Sequence, residues 1–135
     1  MDIRIGEKAY KAEFNGFTPI AFSRAFKEVA ENGRKRPRDI AEAVSRIADS
    51  ITTYGVPAVT PLLEILYACI KTAEPTFSKT FDEWVSALPS SAFNLERKDG
   101  WATDVMRIVE DNFFPSAKDG VEAEAAEKAA AEAPE

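Results

Sequence analysis

The sequence predicts a small, mainly α-helical domain of about five helices, preceded by a β-hairpin and followed by a disordered acidic tail. Three observations lead to this fold class. Apolar and polar residues alternate near the amino terminus, which is the period of a half-buried strand. From residue 18 onward the apolar residues recur at intervals of three and four, the period of an amphipathic helix. After Val121 no large apolar side chain occurs, so the tail cannot bury enough surface to fold.

The hairpin is predicted for residues 1–16. Apolar side chains alternate with polar ones over residues 3–5 and again over residues 10–14, and residues 6–8 can form a tight turn between them. An isolated two-stranded hairpin is only marginally stable in water. We therefore expect the hairpin to pack on the helices or on the sheet edge of another subunit.

The first helix is predicted to begin at Thr18, an N-cap that is followed by proline in the first turn. Phe22, Phe26 and Val29 occupy positions i, i+4 and i+7 and form its apolar stripe. Asn32 and Gly33 supply its end.

A basic segment, residues 34–38, follows the first helix. We interpret it as a solvated loop whose cations also favour the carboxyl end of the preceding helix. Contact with a phosphate or with an acidic partner is the alternative interpretation.

The second helix has the most regular apolar period in the chain. Asp39 is its predicted N-cap, and the helix ends at Tyr54 and Gly55. Its stripe consists of Ile40, Val44, Ile47 and Ile51.

The third helix, over residues 58–73, differs because it is apolar on almost every side, interrupted only by Glu64 and Lys71. Such a helix must be surrounded, and we predict that it is the central helix of the domain. Cys69 lies in the same apolar setting, and we expect a packed core residue rather than a reactive thiol.

Two further helices carry tryptophan. Thr80 and Glu83 form a capping box at the start of the fourth helix, and the last helix ends near Phe113-Phe114-Pro115. Their apolar stripes are Phe81, Trp84, Val85 and Leu88 in the fourth helix, and Trp101, Val105, Ile108 and Val109 in the last.

Composition excludes several functional classes. The 135 residues contain no histidine and one cysteine, which rules out Ser-His-Asp and Cys-His catalytic groups, a Cys/His zinc site and an internal disulfide. The paired acids lie on polar helix faces or at helix N-termini, where acids are expected, and there is no glycine-rich phosphate loop or GxSxG motif. We predict no catalytic residue, no metal and no cofactor, and a protein that is not an enzyme.

Charge divides the chain into two regions. The net charge is −6, and residues 116–135 hold six acidic and two basic side chains, so residues 1–115 are close to neutral. We predict a hairpin and helical domain over 1–115 and a disordered Ala/Glu-rich tail over 116–135. An acidic chain repels phosphate backbones, so nucleic acid is a disfavoured partner. No apolar run reaches the roughly 20 residues of a membrane span and no secretory signal is found, so we expect an intracellular protein without a membrane partner.

The two tryptophan helices are the candidate partner-binding surface, because aromatic residues anchor many protein interfaces. The pattern by itself favours the other interpretation, in which each tryptophan packs in the core of the small domain. On the first interpretation, Trp84→Asp weakens partner binding more than fold stability. The predicted contact residues are Phe81, Trp84, Val85, Leu88, Trp101, Val105 and Ile108.

The whole pattern resembles the tail assembly chaperones of long-tailed phages and prophages of Gram-positive bacteria. The resemblance covers residues 1–115 and depends on the layout: the hairpin from Ile3 to Phe14, the helical body, the Phe81-Asp82-Glu83-Trp84-Val85 segment and the closing Phe113-Phe114-Pro115. It implies a non-enzymatic chaperone that keeps the helical tape-measure protein soluble and helps recruit the tail-tube protein. It also implies a location in the host cytoplasm and absence from the mature virion.

The physical properties of the chain agree with that role. A chaperone for long apolar helices needs apolar grooves and a negatively charged, soluble exterior, and the free edge of the hairpin offers self-association by strand addition. Two alternatives stay open. One is another small phage structural or adaptor protein, such as a head–tail completion factor. The other is a nucleic-acid-associated regulator that uses Arg34, Lys35, Arg36 and Arg38.

Overall fold

The computed structural model describes residues 1–94 and 100–114. In these residues the prediction of a mainly α domain with an N-terminal hairpin is confirmed. The predicted disordered tail, residues 116–135, lies outside the described residues. The elements in chain order are β1 (Asp2–Ile5), β2 (Lys8–Lys11), α1 (Thr18–Ala25), β3 (Lys27–Val29), β4 (Lys35–Pro37), α2 (Ile40–Tyr54), α3 (Val59–Ala73), α4 (Phe81–Ser86), a 3₁₀ helix (Ser90–Phe93) and α5 (Trp101–Phe113).

The N-terminal hairpin forms as predicted and covers one side of the helical body. β1 and β2 pair antiparallel with Ile3 opposite Tyr10, and Ile3 and Ile5 are buried. The turn is shorter than predicted because Lys8 already belongs to β2. Gly6 has φ 62° in this turn, a conformation that strains any residue with a Cβ. The hairpin packs on α3 and α5, so its apolar face is covered within the chain.

The first helix is shorter than the sequence predicts. α1 ends at Ala25, and Phe26 is extended with φ −120° and ψ 123°. Residues 27–37 form a second hairpin, β3–β4, whose turn contains Gly33 at φ 80°. Asn-Gly between two short strands is a hairpin signal, so Asn32 and Gly33 turn the chain between β3 and β4 and do not end α1 as the sequence predicts. The sequence predicts Val29 in the buried stripe of the first helix, but this residue lies in β3 and its side chain is 69% exposed.

The predicted second helix is confirmed as α2, including both ends. The Asp39 carboxylate accepts a hydrogen bond from the Ala41 backbone N–H at 2.8 Å, and Gly55 closes the helix in the left-handed conformation. Ile40, Val44 and Ile47 are buried as predicted, whereas Ile51 is 38% exposed near the end of the helix.

α3 is the central helix, as the sequence predicts. Ten consecutive residues, 61–70, are buried, and α1, α2, α4 and α5 all pack against this helix. Glu64 and Thr72 are its buried polar residues. Thr72 is satisfied by hydrogen bonds to the Ala68 carbonyl and to Thr18, so its burial leaves no polar group unpaired.

Cys69 is a core residue, as predicted. Its side chain is fully buried in the middle of α3, and burial raises the pKa of its thiol from 9.0 to about 12. The thiolate is the reactive form of cysteine, so the folded chain presents no nucleophile here at neutral pH.

We expect this thiol to make the fold less stable at alkaline pH. Above pH 9 the unfolded chain releases the Cys69 proton, whereas the folded chain retains it until about pH 12. The free energy of unfolding therefore falls by up to about 1.4 kcal/mol per pH unit in this window. Urea denaturation of the wild type and of Cys69→Ala from pH 7 to pH 10 measures the effect. The wild type should lose more stability than the variant, and parallel pH profiles would contradict the prediction.

Within the described residues, none of the helices combines the length and apolarity that crossing a membrane requires.

Candidate functional site

An elongated surface groove follows one stripe of α3, and we call it the α3 groove. It consists of two hollows, of about 440 Å³ and about 510 Å³, that share Ala25 as a lining residue. The α3 residues that line them are Thr60, Glu64, Tyr67 and Lys71, which are spaced by four, three and four and so share a helix face. The eleven steps of α-helix from Thr60 to Lys71 span about 16 Å, which gives the groove room for two to three turns of another helix.

The walls of the α3 groove come from α1 and α4. Phe17, the residue before α1, borders the first hollow, and Ala25 at the end of α1 borders both. In α4, Phe81 and Val85 border the second hollow, and both side chains are half-buried. The apolar walls thus remain partly open to solvent.

The floor between the two hollows is aromatic. Tyr67 stacks on Phe81 with ring centroids 5.7 Å apart, and Phe26 meets both rings edge-on at 6.1 Å and 5.0 Å. The Tyr67 hydroxyl donates a hydrogen bond to the Lys79 carbonyl at 2.6 Å, which holds the ring in place. Each aromatic pair of this kind contributes about 0.5–1.5 kcal/mol beyond the burial of its area, so these ring contacts stabilise the floor of the groove.

The two ends of the groove carry opposite charge. Arg24 and Lys71 line the first hollow, and Asp82 and Glu64 line the second. Arg24 lies over the Phe17 ring at 5.4 Å, and the Lys71 ammonium donates to the Phe77 carbonyl at 2.7 Å. In the described part of the chain, neither cation pairs with a carboxylate, and Asp82 pairs with no cation.

Glu64 is bound to Arg38 within the fold. The guanidinium contacts both carboxylate oxygens, at 2.5 Å and 3.2 Å, and the two side chains are only 13% and 7% exposed. The hydrogen bond to Glu64 is the main cause that raises the pKa of Arg38 above its usual range. Arg38 also lies over the rings of Phe22 and Phe26. The pair joins the end of the second hairpin to the central helix.

The basic segment 34–38 is therefore neither a plain solvated loop nor a free cationic patch. Residues 35–37 form β4. Arg38 forms the ion pair with Glu64, and Arg36 forms an ion pair with Glu28 of the facing strand at 2.5 Å. Two of the four cations assigned to a nucleic-acid regulator are thus engaged in ion pairs. This placement could not be predicted from sequence, because Glu64 lies 26 residues away along the chain.

The structure separates the predicted partner-binding residues into two groups. Phe81 and Val85 line the α3 groove, and Leu88 is half-buried beside the N-terminal hairpin. The other four side chains are in the core: Trp84 is 1% exposed, Trp101 4%, Val105 0% and Ile108 7%.

The assignment of Trp84 and of the α5 stripe to a surface therefore needs correction. The N-terminal hairpin and α3 leave an apolar face that α5 covers. The apolar stripe of α5 is therefore buried and completes the core of the domain. Trp84 is enclosed by Tyr10, Tyr67 and Phe81. A side chain at these positions reaches a partner only if the fold opens.

The sequence pattern did not identify Tyr67, Arg24, Lys71 and Asp82 as groove residues.

The two buried tryptophans differ in hydrogen bonding, which provides a matched comparison. Trp101 Nε1 donates to the Ala92 carbonyl at 2.6 Å, whereas Trp84 Nε1 has no partner among the described residues. We expect Trp101→Phe to destabilise the fold by about 1–2 kcal/mol more than Trp84→Phe, because only the former leaves a carbonyl unpaired. Urea denaturation of both variants measures the difference, and equal losses would contradict it.

No group of three or more carboxylate or cysteine side chains in residues 1–94 and 100–114 is arranged to hold a metal ion. No protein family, curated protein or solved structure matches this chain. A function for the chain must therefore be argued from the α3 groove and the surface around it.

Proposed function

We propose that this chain is a non-enzymatic tail assembly chaperone that binds apolar helices of a phage tape-measure protein and keeps that protein soluble. The α3 groove is the observation that carries the proposal. It is long enough for a helix, aromatic at its floor and partly open along its walls. Amphipathic helices bind in grooves of this type through apolar side chains at helical spacing.

The remaining surface favours many moderate contacts over one deep anchor. Large apolar side chains are exposed outside the groove at the end of α2, where Tyr54 is 78% and Val56 52% exposed. The net charge of −6 supports solubility of a complex with an apolar client. Reversible binding suits a protein that leaves before the virion is complete, and we propose that it acts in the host cytoplasm and helps recruit tail-tube subunits.

Self-association is a proposed part of this role. The N-terminal hairpin has two strands, so its outer backbone groups can pair with a strand of another copy. Such pairing would place several chaperone molecules along one client.

Co-expression with a candidate tape-measure protein tests the proposal. The readout is the fraction of the client that stays in the supernatant, with and without this chain. Val85→Asp places a charge in the α3 groove, and Val29→Asp makes the same change at a side chain that is 69% exposed on β3, outside both hollows. We expect the client to precipitate with Val85→Asp and to stay soluble with Val29→Asp.

Two results would contradict the proposal. One is a client whose solubility does not depend on this chain, and the other is equal protection by both variants. Thermal melts of the two variants, followed by circular dichroism, establish that each is folded. Salt-dependent retention of the wild type on DNA, lost in Arg34→Glu, would favour the regulator instead.

A further inference from the structure

The geometry points to a charge-selective α3 groove: we infer that it recognises an amphipathic helix that carries one cationic and one acidic side chain about two turns apart. This inference rests on the proposed function and specifies the chemistry of the client. It adds to the apolar contacts a polar signal that distinguishes one helical segment from another.

The distance between the two charges on the client follows from α3, the helix that forms the floor of the groove. Glu64 marks the acidic end of the groove and Lys71 the basic end. They are seven residues apart on α3, which corresponds to about 10 Å along the axis. Asp82 lines the same hollow as Glu64, and Arg24 lines the same hollow as Lys71, so the length between Glu64 and Lys71 also sets the separation of the two hollows that hold the free charges. A client helix lying along α3 has the same rise per residue, so its two charges match when they are also about seven residues apart.

The charges that face the client are those that the fold leaves unpaired. Glu64 is neutralised by Arg38, so the exposed carboxylate of Asp82 is the acid available at that end. At the other end the exposed Arg24 guanidinium packs on an aromatic ring and meets no carboxylate in residues 1–94 and 100–114. Opposite charge at the rim of an interface steers binding and rejects wrong partners more than it adds affinity.

Synthetic helical peptides with one common leucine stripe test this inference on the full-length chain. Three peptides carry Lys and Glu, two Lys, or two Glu at positions seven residues apart. Fluorescence anisotropy measures their affinities at low salt. We expect the Lys/Glu peptide to bind about fivefold more tightly than the other two, because each rim pair contributes modestly. The preference should shrink as added salt screens the charges.

Reversing the groove charges gives the decisive comparison. Asp82→Lys should shift the preference to the two-Glu peptide. Arg24→Glu leaves Lys71 to balance the new carboxylate in the first hollow, so the Lys/Glu and two-Lys peptides should bind this variant about equally. Both side chains are exposed, so each variant is expected to fold, and circular dichroism verifies this.

The outcomes distinguish the inference from the proposed function. Equal binding of the three peptides, weakened by Val85→Asp, would overturn charge selection and leave the groove as the client site. An unchanged preference in the reversed variants would also overturn charge selection. Absence of binding by every peptide, together with a client that precipitates in the presence of this chain, would overturn both.

Discussion

Trp84→Asp is expected to unfold the domain. Removing a buried tryptophan costs about 3–5 kcal/mol, and the new carboxylate would be placed where the native side chain is 1% exposed. An unpaired buried charge adds several kcal/mol, and a typical domain has only about 5–15 kcal/mol in total. Far-UV circular dichroism and a urea titration measure the loss.

The neighbouring Val85→Asp is the matched control for this experiment. Val85 is half-buried at the edge of the α3 groove, so its new carboxylate can reach water. We expect this variant to stay folded and to lose client binding. A folded Trp84→Asp that fails only in client binding would reverse the assignment and make Trp84 a surface contact.

Glu64→Leu is expected to destabilise the fold by about 3 kcal/mol, because it leaves the Arg38 guanidinium without its main partner in a site that is mostly shielded from water. The effect should be strongest near the second hairpin, since Arg38 follows β4 directly and its backbone N–H bonds to the Phe26 carbonyl at 3.0 Å. Urea denaturation gives the overall loss, and amide hydrogen exchange locates it.

The double variant Arg38→Met/Glu64→Leu tests whether the lost stability comes from leaving one charge of the ion pair buried without its partner. With both charges removed, much of the lost stability should return, because neither group is left buried alone. Arg36→Met is the control, since its pair with Glu28 is largely exposed, at 66% and 35%, and should change stability by less than about 1 kcal/mol. A double variant as unstable as the sum of the two single variants would contradict this account.

Local patterns were sufficient wherever neighbouring residues decide the structure. The capping of α2 by Asp39 depends on a backbone N–H two residues away, and the Thr80 cap of α4 depends on Glu83, three residues away. The continuous apolar character of α3 required burial on every side, so its central position was predictable. The N-terminal hairpin followed from alternation over two short segments.

Residues 26–38 show where local patterns are insufficient. The helical spacing of Phe22 and Phe26 is real, and both rings are buried. Yet the chain becomes extended at Phe26, where the ring packs on Tyr67 and Phe81. These contacts join residues far apart in sequence, so the local spacing of apolar residues does not predict them.

The sequence by itself therefore determined the fold class, most helix ends, the central helix and the inert setting of Cys69, because these depend on period, caps and composition. Only the tertiary structure decided which apolar stripes close the core and which stay open. An amphipathic stripe has the same pattern whether its own domain or another protein covers it. In this chain α5 packs on α3 and β1, so its apolar stripe is buried in the core. The same packing left Phe81 and Val85 at the edge of a groove with opposite charges at its ends.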